Sequence, residues 1–357
     1  RMVEYASVLG ELHIVIFSLY HPDLEPKKIA PNVWVYPTSS KSKLGYITDA
    51  IYIGKQILSN IYFGQTAIST QDPFESGIVG VFLKRFSKFP LQAQLHTDAW
   101  DKNFQYHTIL NWIRVNIIAP LVLKRVNNVR VVSEKIRWDV LLHSKLDPKS
   151  VSVLPIFVDV YNYARSPVTL DLHKVYPKWK TIILMASRLT REKDIKSALK
   201  AFRKLVKKYS DVGLVIVGDG PEKENLKKFV RRWKLMENVV FEDWQHDLTS
   251  YFKTADIFLN TSLYEGYGMT LIEAGASGRP VVTTRVGVAY DFLEDGRNAL
   301  VCSVGDEDCV YTKIVNLMEN PIIRDSLGSA LQNNILENAI SKEDYLQQLK
   351  DLYIQNK

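Results

Sequence analysis

The chain has 357 residues, of which 46% are hydrophobic and 24% are charged. This length predicts two domains, each large enough to bury a core, and this composition excludes a disordered or a fibrous protein. The longest apolar stretch that could suggest a membrane span is residues 117–123. It contains Pro120 and is far shorter than the roughly 20 residues that a bilayer crossing needs. No secretory signal peptide is recognised. Cys302 and Cys309 form neither a disulfide framework nor a metal-ligand pattern, which fits a reducing, cytoplasmic location.

The net charge of +7 is concentrated in the first half of the chain. Residues 1–165 carry 19 basic and 13 acidic side chains, whereas residues 166–357 carry 27 and 26. A basic half indicates either an anionic partner or simple solubility, and no nucleic-acid recognition motif is present. If the partner is anionic lipid at the cytoplasmic face of a membrane, the candidate contacts are residues 83–89, Arg114, Lys124 and Arg125.

The first half of the chain alternates strand-like and helix-like segments. The chain opens in a helical pattern that covers residues 2–9. The predicted strands are residues 13–18, 33–36, 78–81, 92–96, 129–132 and 151–154, and the predicted helices are residues 43–61, 106–125 and 134–142. This repetition predicts parallel βαβ units and a doubly wound sheet.

The second half repeats this alternation more clearly. The predicted strands are residues 181–187, 213–217, 239–241, 257–260 and 281–284, and the predicted helices are residues 194–209, 221–233, 248–254 and 268–277. The pattern indicates two Rossmann-like domains, residues 1–160 and 161–340, joined within residues 157–179 and facing a central cleft. A final amphipathic helix, residues 341–357, is expected to pack back on the first domain. Ligands of such sheets bind at the carboxyl ends of the strands.

The strongest chemical pattern places two carboxylates eight positions apart, Glu265 and Glu273, around a glycine-rich turn. A helix that begins near Gly268 would present free backbone N–H groups to a phosphate. Glu273, further along that helix, is suited to accept two hydrogen bonds from a vicinal diol such as a ribose. The alternative interpretation is an ordinary amphipathic helix with a solvated Glu273.

Two further patterns follow predicted strands. Arg188 and Lys193 are five residues apart in a strand-to-helix turn, where both cations would converge on one pyrophosphate, although surface lysines and arginines are common there. Residues 217–222 form a Val-Gly-Asp-Gly-Pro-Glu turn that includes Gly218 and needs no ligand to begin a helix.

These patterns, in this order and spacing, together with Ser-Gly-Arg-Pro-Val-Val at residues 277–282, resemble the retaining glycosyltransferases of family 4, which have the GT-B fold. The resemblance covers about residues 180–330 closely. In the first half it is looser and rests on residues 94–98, 132–134 and 158–159. The chain departs from the family pattern at residues 156–157, where Asn-Gly is usual, and it lacks the strand and Gly-rich loop that precede the first helix in family members.

The resemblance implies a role for each matching residue. The catalytic set would be Arg188, Lys193, Glu265 and His96; the donor-binding set would be Gly266, Tyr267, Gly268, Met269, Thr270, Glu273, Gly218, Asp243 and Trp244, with Asp98 as a further candidate. His96 would otherwise be an ordinary histidine at the end of a strand, and Asp98 would cap the following helix.

The implied reaction is the retaining, metal-independent transfer of a hexose-type sugar from a UDP- or GDP-linked donor. The acceptor hydroxyl would belong to a lipid-linked, polysaccharide or small-molecule acceptor. The cations and the helix terminus would stabilise the leaving diphosphate, and no Asp-x-Asp pattern suited to a bridging metal is present, so no cofactor or metal is expected. The alternatives within this fold are a nucleotide-sugar epimerase, a glycan phosphorylase, or a protein that binds sugar nucleotides without transferring the sugar.

Overall fold

The computed structural model describes residues 2–61 and 65–354 and divides them into two compact units. Unit 1 contains the described residues up to Pro155 together with those from Ile340 onward, and unit 2 is Ile156–Ala339. The segment 157–179, in which the sequence places the junction, therefore lies inside unit 2. The predicted final helix is assigned to unit 1, and its last residues, 355–357, lie outside the described part of the chain.

Both units are built from alternating strands and helices. The strands are β1 (Leu12–Ile16), β2 (Lys27–Ala30), β3 (Val33–Pro37), β4 (Ile68–Thr70), β5 (Leu91–Leu95), β6 (Asn128–Val131), β7 (Val151–Val153), β8 (Thr181–Ala186), β9 (Val212–Val217), β10 (Val239–Glu242), β11 (Ile257–Asn260), β12 (Val281–Thr284) and β13 (Leu300–Cys302). The α-helices are α1 (Met2–Leu9), α2 (Tyr46–Ser59), α3 (Glu75–Ser87), α4 (Lys102–Gln105), α5 (Ile109–Ile113), α6 (Ala119–Leu123), α7 (Glu134–His143), α8 (Val160–Arg165), α9 (Leu172–Val175), α10 (Ile195–Lys208), α11 (Lys223–Arg232), α12 (Thr249–Thr254), α13 (Met269–Ala276), α14 (Glu307–Glu319), α15 (Pro321–Glu337) and α16 (Lys342–Ile354).

The described strands of unit 1 form two sheets. One is a parallel sheet in the order β4-β5-β6-β7, and the other has the order β1-β3-β2, with β2 antiparallel to β3. The predicted strand at residues 78–81 is wrong, because these residues lie in α3. Val79 and Leu83 are buried at helical spacing and pack against Ala50 of α2, and a short apolar run alone does not separate a strand from a buried helix.

The described strands of unit 2 form one parallel sheet in the order β10-β9-β8-β11-β12-β13. Hydrophobic clusters on both faces, anchored by Phe202 on one and Phe252 on the other, bury the helices against it. Parallel sheets covered on both faces have continuous apolar strands, which explains why β11 and β12 coincide with their predicted positions. The strand order reverses between β8 and β11, and ligands of open α/β sheets bind at such a switch point.

The structure corrects the interpretation of the two cysteines. Cys302, the last residue of β13, is disulfide-bonded to Cys309 in the first turn of α14, with 5.9 Å between their Cα atoms. The sequence does not reveal this pairing, although the two cysteines are only seven residues apart. They are brought together because the short loop between β13 and α14 reverses the direction of the chain, which depends on tertiary structure.

Candidate active site

The loops that follow β8 and β11 meet at the switch point of the unit 2 sheet. The backbone N–H of Leu263 donates to the carbonyl of Glu192 at 2.7 Å. The buried Thr261 hydroxyl donates to the carbonyls of Lys193 and Asp194, at 3.2 and 3.0 Å. Residues 68 positions apart in sequence are therefore held together, and the two strongest sequence patterns form one site.

The two predicted phosphate-binding cations lie in the loop after β8 and differ in exposure. Arg188 is 70% exposed, and its Nη2 atom lies 3.6 Å from Oε1 of Glu192. Lys193 ends a single 3-10 turn and is 15% exposed, with its Nζ atom 2.5 Å from Oε1 of Glu265. Both cations therefore have a carboxylate of the protein beside them.

Glu265 is held by more than the lysine. The hydroxyl of Ser262, which is fully buried, lies 2.8 Å from Oε1 of Glu265 and 2.7 Å from Oδ1 of Asn260. Sequence reasoning missed Ser262 and Asn260, since a serine and an asparagine at the end of a strand give no specific signal.

The turn of residues 266–268 leads into α13 with no side chain capping the helix. Gly268, the N-cap residue, has a φ of +90°, a left-handed conformation that favours glycine. The backbone N–H of Val288 donates to the carbonyl of Tyr267 at 2.7 Å and fixes the turn. The N–H groups of the first turn, which includes Met269 and Thr270, point out of the helix end, where an anion is favoured.

Glu273 is buried in α13, with 8% of its surface exposed. Burial raises the pKa of its carboxyl to about 7, and a hydrogen bond with Tyr163 of α8 partly opposes this rise. A solvated Glu273 on an ordinary amphipathic helix, the alternative interpretation, is therefore wrong. A buried carboxylate needs hydrogen-bond donors, and a diol would supply two.

The third pattern, the turn of residues 217–222, lies beside the same site, and its glycine Gly218 is needed for the backbone conformation. Gly218 has a φ of +144°, and a Cβ atom there would lie 1.9 Å from the carbonyl oxygen of Ser187. The glycine is therefore required by the close approach of the loops after β8 and β9. Asp243 and Trp244 follow β10 directly; the Asp243 carboxylate pairs with Lys223 at 2.6 Å, and Trp244 is 56% exposed.

In unit 1, His96 follows β5 and is held by a buried polar network that the sequence did not reveal. Its Nε2 atom lies 3.2 Å from Oε1 of Gln94, which also accepts a hydrogen bond from Nη1 of Arg130 at 3.1 Å. Because arginine only donates, Oε1 is an acceptor and Nε2 of His96 carries the proton. The prediction that His96 contacts the same ligand as the unit 2 residues stays a prediction.

Asp98 lies two residues further along and is 5% exposed. Burial raises the pKa of its carboxyl to about 6, and the Lys135 ammonium, 3.2 Å away, opposes that rise. Asp98 accepts a hydrogen bond from the backbone N–H of Asp101, and Asp101 is the residue that caps α4. The alternative interpretation, in which Asp98 itself caps the helix, is wrong.

Several of the predicted lipid contacts are engaged within unit 1. Leu83 is buried, the Lys84 ammonium donates to the Arg125 carbonyl at 2.7 Å, and Arg114 pairs with Glu75 at 2.8 Å. Within residues 2–61 and 65–354, no helix is long and apolar enough to cross a bilayer. The same residues contain no group of three or more metal-ligating side chains.

Comparison with known proteins agrees with this geometry. Residues 173–334 match the family model of the glycosyl transferases group 1. The alpha-monoglucosyldiacylglycerol synthase of Acholeplasma laidlawii is 24% identical over 92% of this chain and 84% of its own length. The enzyme of that name from Streptococcus pneumoniae is 29% identical over 65% of this chain, which spans about half (53%) of that relative.

Two solved structures share the fold. Sucrose-phosphate synthase from Thermosynechococcus elongatus superimposes with a TM-score of 0.82 over 99% of this chain and 92% of that one, at 20% identity. Anabaena HepE in complex with UDP-glucose gives a TM-score of 0.75 over 90% and 86%, at 19% identity.

The two Rossmann-like units, with their parallel sheets and the switch point of unit 2, have the GT-B fold that these solved structures share. The match to the glycosyl transferases group 1 family model covers most of unit 2.

Proposed function

We propose that the protein is a retaining, metal-independent glycosyltransferase that moves a hexose-type sugar from a UDP- or GDP-linked donor to an acceptor hydroxyl. The observation that supports this most directly is the joining of the loops after β8 and β11 by the ion pair of Lys193 and Glu265. The loop after β8 carries both cations, and the loop after β11 leads into the uncapped start of α13, the helix of the buried Glu273, so these groups follow the carboxyl ends of neighbouring parallel strands.

Each group has a role in this proposal. Arg188 and Lys193 bind the diphosphate and, with the N–H groups of the first turn of α13, stabilise the charge that develops as it leaves. Glu273 accepts hydrogen bonds from the ribose hydroxyls. The backbone of residues 266–268 and the Glu265 carboxylate contact the sugar. Trp244 and Asp243 lie beside the base.

The proposed reaction needs no covalent nucleophile of the protein, because the leaving diphosphate can itself assist the attack of the acceptor. The transition state is oxocarbenium-like, and the departing diphosphate is itself a base able to accept the proton of the acceptor hydroxyl on the same face of the sugar. The positive side chains supply the charge stabilisation that a divalent cation supplies elsewhere. No metal or other cofactor is therefore included.

Binding and stereochemistry test this proposal separately. A nucleoside diphosphate that binds the folded protein raises its melting temperature, so UDP, GDP and ADP are compared with and without EDTA. We expect a rise with UDP or GDP that EDTA leaves unchanged. With the matching α-configured sugar donor, NMR of the product should show an α-glycosidic bond. An EDTA-sensitive shift or a β-linked product would contradict the proposal.

For the acceptor we propose a lipid-linked hydroxyl at an anionic membrane surface. Large apolar side chains are exposed along α5, the π-helical segment Arg114–Ile118 and α6, among them Ile109 (76% exposed), Ile117 (47%) and Leu121 (51%). Exposed Lys124 and Arg125 follow directly. An apolar face with an adjoining basic end favours the interface of an anionic bilayer. The curated relatives named for lipid products add support.

Sedimentation with vesicles tests the membrane proposal. We expect binding to phosphatidylcholine vesicles with 30% phosphatidylglycerol, weakened by salt, and loss of binding on Ile117→Asp with Leu121→Asp. Ile322→Asp, which alters an 85% exposed isoleucine in unit 2, is the matched control and should bind as the wild type does. If the double variant binds as well as the wild type and the control, the exposed apolar side chains of residues 117–121 are not the membrane contact.

A further inference from the structure

One of the two expected phosphate-binding cations is paired with a largely buried carboxylate of the protein itself. The Nζ atom of Lys193 lies 2.5 Å from Oε1 of Glu265, and their side chains are only 15% and 13% exposed. Arg188, by contrast, is 70% exposed and 3.6 Å from its carboxylate neighbour. A diphosphate therefore meets an accessible guanidinium but an ammonium that another anion occupies.

The hydrogen bonds around Glu265 make its carboxylate exchangeable. The single proton of the buried Ser262 hydroxyl is shared between Oε1 of Glu265 (2.8 Å) and Oδ1 of Asn260 (2.7 Å). The amide orientation of Asn260 is fixed, because its Nδ2 atom donates to Thr283 at 3.2 Å. If the carboxylate turns away, Ser262 keeps Asn260 as its acceptor. No buried hydroxyl is then left unsatisfied, which would otherwise be costly.

We propose that Glu265 is an internal counter-ion of Lys193 which the diphosphate of the donor replaces, and that Ser262 is the positioning residue that holds Glu265 in place beforehand. The inference rests on the proposed donor site. A carboxylate and a phosphate compete for the same ammonium, and a carboxylate that stayed would repel the bound diphosphate. Once displaced, Glu265 is available to the hydroxyls of the sugar.

Removing a residue that contacts a ligand normally weakens binding. The proposed exchange predicts the opposite for Glu265, namely that its removal strengthens binding of the nucleoside diphosphate. In Glu265→Gln, the diphosphate no longer has to displace a charge, so UDP or GDP, whichever the wild type binds, should bind about tenfold tighter in calorimetry. Sugar transfer should nevertheless fall. Glu307→Gln is the matched control, because Lys200 and Glu307 also form a 2.5 Å lysine–glutamate pair in unit 2; it should leave affinity unchanged.

A double-mutant cycle tests the role of Ser262. Ser262→Ala should tighten nucleoside diphosphate binding less than Glu265→Gln, and adding it to Glu265→Gln should have no further effect, because it acts through Glu265. In a Lys193→Met background, Glu265→Gln should no longer tighten binding. Additive effects of Ser262→Ala, or tightening that persists without Lys193, would overturn the proposal. Ser262→Ala also provides a test if Glu265→Gln fails to fold.

The same titrations separate the failure of this inference from that of the proposed function. If the wild type binds a nucleoside diphosphate and Arg188→Ala weakens it, the donor site stands. A Glu265→Gln variant that then binds more weakly overturns only the counter-ion exchange. If neither UDP nor GDP binds the wild type, the donor site and the inference that rests on it are both wrong.

Discussion

The guanidinium of Arg130 on β6 donates a hydrogen bond from Nη2 to the hydroxyl of Tyr345 on α16, over 2.8 Å and 215 positions of sequence. Both residues are buried, and Arg130 also donates to the carbonyls of Leu154 and Pro155. Gln94, which contacts Arg130, donates to the hydroxyl of Tyr353 at 2.8 Å. The final helix is thus tied to the strands that lead to His96.

Removing the Tyr345 hydroxyl should destabilise unit 1. Tyr345→Phe leaves a buried guanidinium short of an acceptor, so we expect a loss of about 1.5 to 3 kcal/mol in the free energy of unfolding, measured in urea. Tyr52→Phe is the control, because Tyr52 is 64% exposed and its change should cost little. Equal stabilities of the two variants would contradict a structural role for the Arg130 contact.

Removing the exposed cation should weaken binding of the donor's diphosphate. Arg188→Ala should reduce affinity for the nucleoside diphosphate by about tenfold to 100-fold, the usual range for a hydrogen bond to a charged group. Isothermal calorimetry measures the change. Lys207→Ala, an exposed site on α10, should bind as tightly as the wild type. Arg188→Ala with wild-type affinity would exclude Arg188 from the site.

The raised pKa of Glu273 predicts a pH dependence of stability. Its carboxyl has a pKa of about 7 in the folded protein against 4.5 for the free side chain, so the folded state binds the extra proton between these values. Stability therefore falls as pH rises from about 4.5 to 7. Glu273→Gln should be more stable than the wild type at pH 8, by up to about 3 kcal/mol, and the difference should vanish near pH 4. A constant difference across this range would show that Glu273 titrates normally.

Titration of the Glu273 carboxyl should also affect ligand binding, and affinity should rise with pH where stability falls. A ribose diol donates to the carboxylate, so affinity for the nucleoside diphosphate should decrease as pH falls below about 7. Calorimetry at pH 6, 7 and 8 measures this. Because the ligand's own phosphate also titrates, the relevant quantity is the difference from Glu273→Gln, which should lack this component. Parallel pH profiles would place the ribose elsewhere.

The disulfide between Cys302 and Cys309 should contribute to the stability of unit 2. Replacing both cysteines by serine removes a constraint on the unfolded chain and should cost about 2 kcal/mol in the free energy of unfolding. Dithiothreitol should lower the melting temperature of the wild type and leave that of the double variant unchanged. Peptide mapping without reductant should recover the two cysteines in one linked peptide.

The sequence predicts five of the six strands of the unit 2 sheet, all except β13, for a physical reason. Strands such as β11 are buried on both faces and are continuously apolar, so their ends and the polar loops after them are visible as changes in composition. In unit 1, β4 has only three residues and β2 is largely exposed, and neither was predicted. Residues 78–81 were assigned to a strand because a short apolar run carries no period.

Contacts between distant residues could not be predicted from local pattern. The ion pair of Lys193 and Glu265 joins residues 72 positions apart. Gln94 has no distinctive feature in the sequence, and its role becomes visible only through its hydrogen bond with Arg130. The raised pKa of Glu273 likewise comes from burial by neighbouring elements. The residue types at the site were evident in the sequence, but the partners that set their charges were not.

The path of the chain between the units sets an order for folding during synthesis. The chain leaves unit 1 after Pro155, completes unit 2 as one continuous segment, and supplies α16 to unit 1 only from Ile340 onward. Because domains fold as they emerge from the ribosome, unit 2 is able to mature first. Until α16 is released, Arg130 and Gln94 lack their tyrosine partners, so unit 1 is completed only after unit 2 has been synthesised.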